Sequence, residues 1–382
     1  MEREASKPRS NWRERCEAVG FGYHSIDGVY WDESACYAFG ADQEDRMEEV
    51  TAELHQLCLA AAEEVVRSRR FAEFAIPPEY HDLVAASFTR GDPTLFGRFD
   101  LAWDGVGEPK LLEYNADTPT ALLEASVVQW HWLEDTRKDF DQFNSLHEKL
   151  IARWEMIFNA LPPGTPVHFS CMMDNEEDRV TIDYLRDTAL QAGVATQFDY
   201  IEDLGWNGSA FVDLENEPIC AWFKLYPWEW LMRDAFASHL GETALHIIEP
   251  AWKALLSNKG MLAILWELFP DHPNLLPAYF NADYLGASFV VKPFFSREGA
   301  NISIVDRSKP LATPGPYAAE PKVYQARAAM PAFDGRYPVI GAWMVGDQPA
   351  GIGIREDTGR ITTNSSRFIP HFFDHGNARA ID

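Results

Sequence analysis

The sequence has 382 residues, 46% of them hydrophobic and 24% charged, a composition that excludes disordered and collagen-like chains. Thirty-three Lys and Arg against 59 Asp and Glu give a formal net charge of −26, which disfavours binding to nucleic acid or anionic membranes. Such a charge could attract cations such as polyamines, and the alternative from charge alone is an ordinary soluble acidic cytosolic protein. The five cysteines lack CxxC spacing, which argues against a zinc ribbon, and no apolar run reaches the ~18 residues of a membrane helix. A cytoplasmic protein is therefore expected.

The first third of the chain contains a predicted long helix, a pair of strands and a second helix. Apolar residues at three- and four-residue steps predict the helix over 42–74. Alternation predicts strands over 96–103 and 110–114, with turn residues between them. Thr118 is a candidate N-cap, followed by Pro119 in the first turn of a helix over 119–133.

The middle of the chain alternates strands with helices, and the last third is rich in strands. A strand over 167–170, a helix over 176–192 and a strand over 196–200 predict βαβ units in an open sheet. The aromatic run 221–231 fits buried core better than a stacking platform, and a helix is predicted over 254–269. Further strands are predicted over 289–292, 301–305, 322–325, 339–345 and 350–355.

The first candidate site lies on the predicted hairpin. Residues two apart in a strand share a face, so Arg98 and Asp100 point the same way, as do Glu113 and Asn115 in the next strand. Two carboxylates and an amide oxygen suit Mg²⁺, and an arginine suits a phosphoryl oxygen. The alternative is a solvated face on an edge hairpin. The segment 115–120 favours a site, because it leads into a predicted helix N-terminus, where an anion is stabilised.

The second candidate site is a basic loop in the last third. Within 290–301, Lys292 ends a strand and a loop containing Ser and Gly follows, an arrangement that can cover nucleotide phosphates. Lys259 is a candidate second lysine. The alternatives are an ordinary surface lysine for Lys292 and the polar face of a helix for Lys259. The chain contains no GxxxxGK[ST] loop and no helix-opening GxGxxG.

The sequence resembles the synthetase half of the glutathionylspermidine synthase family, most closely its standalone acid–amine ligase branch. The resemblance covers residues 12 to 372 and rests on runs that include GRFDLAWDG, LLEYNADTPT, FKLYPWE, EPAWKALLSNK and VVKPFFSREGANISI. It implies a mixed α/β, ATP-grasp-type fold with an open-sheet region. It also implies three regions: 1–160 with the catalytic hairpin, 161–245 as an α/β subdomain on the substrate side, and 246–382 for nucleotide binding.

The activity implied by the resemblance is an ATP- and Mg²⁺-dependent ligase. Such an enzyme joins a glutathione-like or other small acid to an amine such as a polyamine, forming ADP through an acyl phosphate. Small-molecule acid and amine partners are expected, without nucleic acid or membrane. Two other functions stay open: a catalytically degenerate nucleotide- or polyamine-binding protein of the same fold, and a glycoside hydrolase, which would leave the lysines unexplained.

The resemblance also assigns roles to individual residues. The catalytic assignments are Arg98 and Arg355, and the metal ligands are Asp100, Glu113 and Asn115. The residues assigned to ATP are Arg98, Phe99, Asp100, Lys259, Lys292, Glu298, Gly299 and Gln325. The acid is assigned to Thr118 and Thr120, which replace serines of the bifunctional members, and the amine to Glu176 and Glu177. A charged first helical turn is the alternative for that acidic pair, and Ala326 replaces a second glutamine expected near the adenine.

Overall fold

The computed structural model describes residues 1–25 and 28–374. Its α-helices are α1 (Trp12–Ala18), α2 (Ala41–Arg67), α3 (His81–Arg90), α4 (Gln129–Thr136), α5 (Leu146–Asn159), α6 (Glu176–Gln191), α7 (Trp228–Leu231), α8 (Lys253–Ser257) and α9 (Met261–Leu268). A π-helix at Glu124–Val128 leads into α4, and 3-10 helices lie at Arg70–Phe74, Pro78–Tyr80, Ile201–Asp203 and Ala237–His239. Among these described residues, no helix has the length and apolar character needed to cross a membrane.

The strands form several sheets. They are β1 (Glu2–Ala5), β2 (Ala35–Gly40), β3 (Phe96–Ala102), β4 (Lys110–Asn115), β5 (Val167–Cys171), β6 (Thr196–Tyr200), β7 (Gly205–Trp206), β8 (Phe211–Val212), β9 (Ala221–Lys224), β10 (His246–Ile248), β11 (Ala278–Tyr279), β12 (Phe289–Pro293), β13 (Ser303–Val305), β14 (Leu311–Ala312), β15 (Lys322–Ala326), β16 (Tyr337–Val345), β17 (Gln348–Asp357), β18 (Arg367–Ile369) and β19 (His371–Asp374).

Three sheets position the site. The central sheet is antiparallel with the order β18-β17-β16-β3-β4, and the late sheet is antiparallel with the order β11-β15-β12-β13-β14. The parallel sheet has the order β10-β9-β5-β6. A smaller sheet joins β1, β2 and β19, and β7 pairs with β8 in a short hairpin. Strands from 1–160 and from 246–382 thus share the central sheet, and the expected boundaries near residues 160 and 245 stay predictions.

Most of the predicted strands are confirmed. The hairpin strands are β3 and β4, and the βαβ unit is β5, α6 and β6, in which the two strands pair in parallel. The predicted strands of the last third correspond to β12, β13, β15, β16 and β17. The aromatic run is core as expected, with Trp222, Phe223 and Trp228 buried.

Two helix predictions are wrong in ways that matter for the site. The helix predicted over 119–133 starts only at Leu122, because Ala121 has a φ of 65°, so Thr118 is not an N-cap. The helix predicted over 254–269 is interrupted, because Asn258 is extended and its side chain accepts from the Gly260 N–H and donates to the Phe74 carbonyl. Lys259 therefore lies in the break between α8 and α9 rather than on a helix face.

Aromatic packing joins the central and parallel sheets. Phe96 on β3 stacks between Trp343, at 6.1 Å between ring centroids, and Phe223 on β9, at 6.2 Å. Trp154 on α5 then packs edge-on against Phe223 at 5.9 Å. All four rings are buried, and burying a large aromatic side chain stabilises a fold by about 1.5–3 kcal/mol. The parallel sheet is thus held against one side of the hairpin that carries the candidate site.

Candidate active site

The polar residues of the β3–β4 hairpin face one another. Asp100 pairs directly with Glu113, and Arg98 with Asn115, in the antiparallel register of these strands. β4 is the edge strand of the central sheet, but the late sheet covers this face, and Arg98 and Asp100 are each only 5% exposed. The alternative of a solvated polar face is therefore wrong for Arg98 and Asp100, which are buried, whereas Glu113 and Asn115 are half-buried.

Two arginines surround the carboxylate of Asp100. Arg98 donates to it through Nε at 2.7 Å and Nη2 at 3.2 Å, and Nη2 of Arg355 lies 3.4 Å away. Burial by itself would lower the pKa of the Arg98 guanidinium. The charge and hydrogen bonds of Asp100 together have the larger effect and raise this pKa. Arg355 comes from β17, two strands away from β3, so the central sheet itself brings both arginines to one point.

Both candidate lysines contact strand β4. Nζ of Lys259 lies 3.0 Å from Glu113 Oε2, and Lys292 donates to the Leu112 carbonyl at 2.7 Å. Burial alone would raise the pKa of Glu113, but Lys259 and Lys292 lower it to about 2. Burial, aided by Lys259, lowers the pKa of Lys292 to about 8. Both lysines are 7% exposed, so the alternative readings as surface lysines are wrong.

An open cavity lies between the hairpin and the late sheet. It brings together residues that are up to about 250 positions apart in the sequence. The predicted site residues that line it are Arg98, Asp100, Glu113, Asn115, Thr118, Thr120, Lys259, Lys292, Glu298, Gly299, Gln325 and Arg355. Their chemical roles stay predictions, but their expected proximity is confirmed.

Three predicted site residues do not line this cavity. The side chain of Phe99 is fully buried on the opposite face of β3 and stacks on Tyr114 at 3.8 Å, so its assignment to the nucleotide is wrong for the side chain. Glu176 and Glu177 lie in the first turn of α6, outside the cavity lining. Glu176 is exposed, whereas Glu177 is half-buried and interacts electrostatically with Glu298 and Arg355 of the cavity.

Glu177 belongs to a carboxylate cluster with Asp178 and Glu124. Glu124 is fully buried and accepts a hydrogen bond from the Tyr30 hydroxyl at 2.6 Å. Burial, and then repulsion from Glu124, raise the pKa of Glu177 to about 8, and burial raises the pKa of Asp178 to about 7. Such a group of carboxylates favours a cation beside the cavity.

Arg297 was not predicted as a site residue. Its guanidinium links the loop after β12 to Thr118, which follows the β3–β4 hairpin. It donates to Thr118 Oγ1 at 2.7 Å and to Glu229 Oε1 at 2.8 Å. The loop then passes so close to Thr362 that a Cβ on Gly299 would lie 2.2 Å from its carbonyl oxygen. The φ of Gly299 is also 69°, a left-handed conformation that favours glycine. The run SREG was visible in the sequence, but nothing in it indicated the partners of its arginine.

The residues assigned to a metal fit a hard divalent cation. Asp100, Glu113 and Asn115 offer carboxylate and amide oxygens from adjacent strands on one face of the hairpin. Mg²⁺ prefers oxygen ligands and is commonly bound by one or two carboxylates together with substrate phosphates. The nearby cationic side chains of Lys259 and Lys292 suit those phosphates.

Comparison with known proteins agrees with the resemblance. The family model described as glutathionylspermidine synthase preATP-grasp matches residues 3–374. A Haemophilus influenzae protein, provisionally named acid–amine ligase, is 42% identical over 93% of this chain and 95% of that protein. The bifunctional glutathionylspermidine synthetase/amidase of Escherichia coli is 27% identical over 94% of this chain, which spans only 63% of that protein's length.

A solved structure supports the fold. A glutathione synthetase-like effector from Globodera pallida, in its apo form, superimposes with a TM-score of 0.57 and covers 95% of this chain and 96% of that one. Its sequence identity is only 9%, so the likeness concerns the fold alone. The predicted mixed α/β fold of ATP-grasp type is confirmed.

Proposed function

The chain belongs to the glutathionylspermidine synthase family, and from that premise we propose that it is an ATP- and Mg²⁺-dependent ligase joining a small-molecule carboxylate to an amine. Relatives named glutathionylspermidine synthase and trypanothione synthetase favour a glutathione-like acid and a polyamine as the substrate classes. One observation supports the proposal most: the acidic face of the β3–β4 hairpin and the lysines of distant segments line the same cavity.

The charge of the cavity suits a triphosphate. Seven cationic side chains and three carboxylates line the cavity in the described part of the chain, although the net charge of the whole chain is −26. The cationic residues are Arg98, Lys259, Lys292, Arg297, Arg327, Arg355 and Arg360, and the carboxylates are Asp100, Glu113 and Glu298. The negative charge of the rest of the protein repels anions. A cationic cavity in this chain therefore indicates that its ligand is an anion. Lys259 and Lys292 would hold the phosphates, with Arg98 and Arg355 near the phosphoryl group that is transferred.

The proposed reaction has two steps. The acid, held by the hydroxyls of Thr118 and Thr120, attacks the γ-phosphorus of ATP through its carboxylate oxygen, and ADP leaves. The product is an acyl phosphate, whose leaving group is phosphate rather than oxide. The deprotonated amine then attacks the acyl carbon, phosphate departs and an amide forms. Mg²⁺ on Asp100, Glu113 and Asn115 would neutralise charge that develops on the phosphates.

Several side chains of the protein serve these steps. Arg98, whose guanidinium is held by Asp100, would stabilise the developing oxyanion. The loop carrying Arg297 lines the cavity and contacts Thr118, so its closure over bound substrates would shield the acyl phosphate from water. The carboxylate cluster of Glu124, Glu177 and Asp178 would attract the cationic amine from the α6 side.

Product analysis tests the proposal. We expect ADP and phosphate to form when an acid and an amine are supplied together, with a condensation product visible by mass spectrometry. Formation of AMP and pyrophosphate would indicate an adenylating enzyme instead. Nucleotide binding without turnover across an acid–amine library would favour the degenerate binding protein, and the lack of any stabilisation by ATP would contradict both.

A further inference from the structure

A second polar cluster lies outside the cavity, on the parallel sheet. His168 is on β5, Asp199 on the neighbouring β6, and Asp213 directly follows β8. One donor atom from each of these residues lies within 4.8 Å of the other two. None of the three lines the cavity described above, so the cluster is separate from the proposed active site.

The cluster is largely buried and is held by hydrogen bonds. His168 is 2% exposed and Asp213 is 8% exposed. Nδ1 of His168 lies 2.8 Å from Asp199 Oδ2, and Oδ1 of Asp213 accepts from the N–H groups of Glu215 and Glu217 at 3.1 and 2.8 Å. Within residues 1–25 and 28–374, Nε2 of His168 and Oδ2 of Asp213 take no part in these hydrogen bonds, so each has an electron pair available for a ligand.

The charges of this cluster do not balance by themselves. Neither Asp199 nor Asp213 forms a salt bridge with Lys or Arg in the described part of the chain; the ion-pair partner of Asp199 is His168. Two carboxylates without a Lys or Arg partner in a largely buried place are costly. A divalent cation would balance the charge of both carboxylates.

We propose that His168, Asp199 and Asp213 form a binding site for a divalent transition-metal ion of the Zn²⁺ class. Imidazole favours Zn²⁺ and its neighbours in the periodic table over Mg²⁺ and Ca²⁺, which prefer oxygen ligands alone. Two ligands at the usual distances of about 2.0–2.2 Å from a tetrahedral ion lie about 3.4 Å apart, so an ion would replace the 2.8 Å hydrogen bond between His168 Nδ1 and Asp199 Oδ2 after a shift of about half an ångström.

The site joins the β7–β8 hairpin to the parallel sheet. His168 and Trp222 are register partners on β5 and β9, and parallel register partners share a face of the sheet. Phe211 of β8 packs on Trp222 at 6.4 Å between ring centroids, and the indole N–H of Trp222 donates to Ser170 Oγ at 3.0 Å. Because Asp213 follows this hairpin directly, an ion bound to it would stabilise the local fold. The ion would take no part in the ligase reaction, since none of its three ligands lines the cavity.

The test is Zn²⁺ binding by the full chain after chelator treatment. The exposed Cys220 is replaced (Cys220→Ser) so that its thiol does not bind Zn²⁺, and excess Mg²⁺ occupies the proposed oxygen-ligand site. Calorimetry should show about one Zn²⁺ per chain, and Zn²⁺ should raise the midpoint of thermal unfolding by several degrees. Asp213→Asn keeps an oxygen for the two N–H groups but loses the charge, and it should weaken Zn²⁺ binding by about tenfold or more.

Matched variants decide the outcome. Asp199→Asn should weaken binding as Asp213→Asn does, whereas Glu215→Gln, an exposed neighbour in the same turn, should bind Zn²⁺ like the parent. The two Asn variants are near-isosteric and serve if a His168 variant fails to fold. The proposal is overturned if the parent shows no saturable Zn²⁺ binding, or if both Asn variants bind as tightly as the parent. Ligase activity is not measured here, so failure of this site leaves the proposed function untouched.

Discussion

The ammonium of Lys224 lies 2.8 Å from Asp117 Oδ1, with the two side chains 0% and 1% exposed. The second oxygen of Asp117 accepts from the Trp228 N–H at 2.8 Å, and Lys224 also donates to the Tyr226 carbonyl at 2.9 Å. Every polar atom of the pair therefore has a partner. Because Asp117 lies between Asn115 and Thr118, the pair ties the cavity wall of the central sheet to β9 of the parallel sheet.

Removing the charge of Lys224 alone should lower the free energy of unfolding more than removing the charges of both Lys224 and Asp117. Lys224→Met leaves the carboxylate of Asp117 buried without its counter-charge, and we expect the free energy of unfolding to fall by about 3–5 kcal/mol. The double variant Lys224→Met with Asp117→Asn should recover part of that loss. Urea unfolding measures both, with the exposed Lys309→Met as control. A Lys224→Met protein as stable as the parent would contradict the structural role of the pair.

Asp100→Asn should lower turnover by on the order of 10² or more, because it removes a carboxylate from the proposed metal ligands and from the Arg98 guanidinium. The measurement is the steady-state rate of ADP release with both substrates saturating. Asp347→Asn, an exposed carboxylate in the turn between β16 and β17, should leave the rate unchanged. Near-normal turnover of the Asp100 variant would remove it from the catalytic set.

Nucleotide affinity should fall as pH rises through about 8. Burial lowers the pKa of Lys292 to about 8 in the free protein, and only its protonated form attracts a phosphate. Between pH 7 and 9 the protonated fraction falls about tenfold, so the dissociation constant of an ATP analogue should rise by a similar factor. Lys292→Arg should bind with little dependence on pH, since arginine stays protonated, and Lys292→Ala should bind weakly throughout. Calorimetry across this range decides, and a parent affinity independent of pH would contradict the prediction.

Binding of a polyamine should release protons. The pKa of Glu177 is raised to about 8 and that of Asp178 to about 7, so Glu177 is mostly protonated at pH 7.5. A bound cation stabilises the ionised carboxylates, lowers both pKa values and expels up to about one proton per amine. Calorimetry in buffers of different ionisation enthalpy measures this release.

The neighbouring glutamates supply the matched control for that experiment. Glu177→Gln should weaken polyamine binding and abolish most of the proton release, because this side chain is half-buried beside Glu124. Glu176→Gln should change little, since Glu176 is exposed. Equal effects of the two substitutions would mean that the acidic turn acts only through its overall charge.

Local rules predicted much of the hairpin site. The two-residue period of a strand is sufficient to place Arg98 with Asp100 and Glu113 with Asn115, and the short turn after β3 is sufficient to pair the strands. The same period puts Phe99 on the core side, where the structure has it, against the role that the resemblance assigned to it. Helix boundaries were less predictable, because Ala121 and Asn258 adopt conformations that their residue types do not specify.

The sequence by itself determined the strand faces, the βαβ order and the family, because these depend on residue periodicity and on long runs of matching residues. Only the tertiary structure decided that Lys259 reaches Glu113 and Lys292 the Leu112 carbonyl, that Arg297 binds Thr118, and that Glu177 rather than Glu176 lies beside the cavity. These contacts join segments far apart in the chain, and their geometry depends on how the three sheets pack. The same packing buries the titratable side chains of the site, and burial shifts their pKa values. No local sequence pattern predicts these shifts.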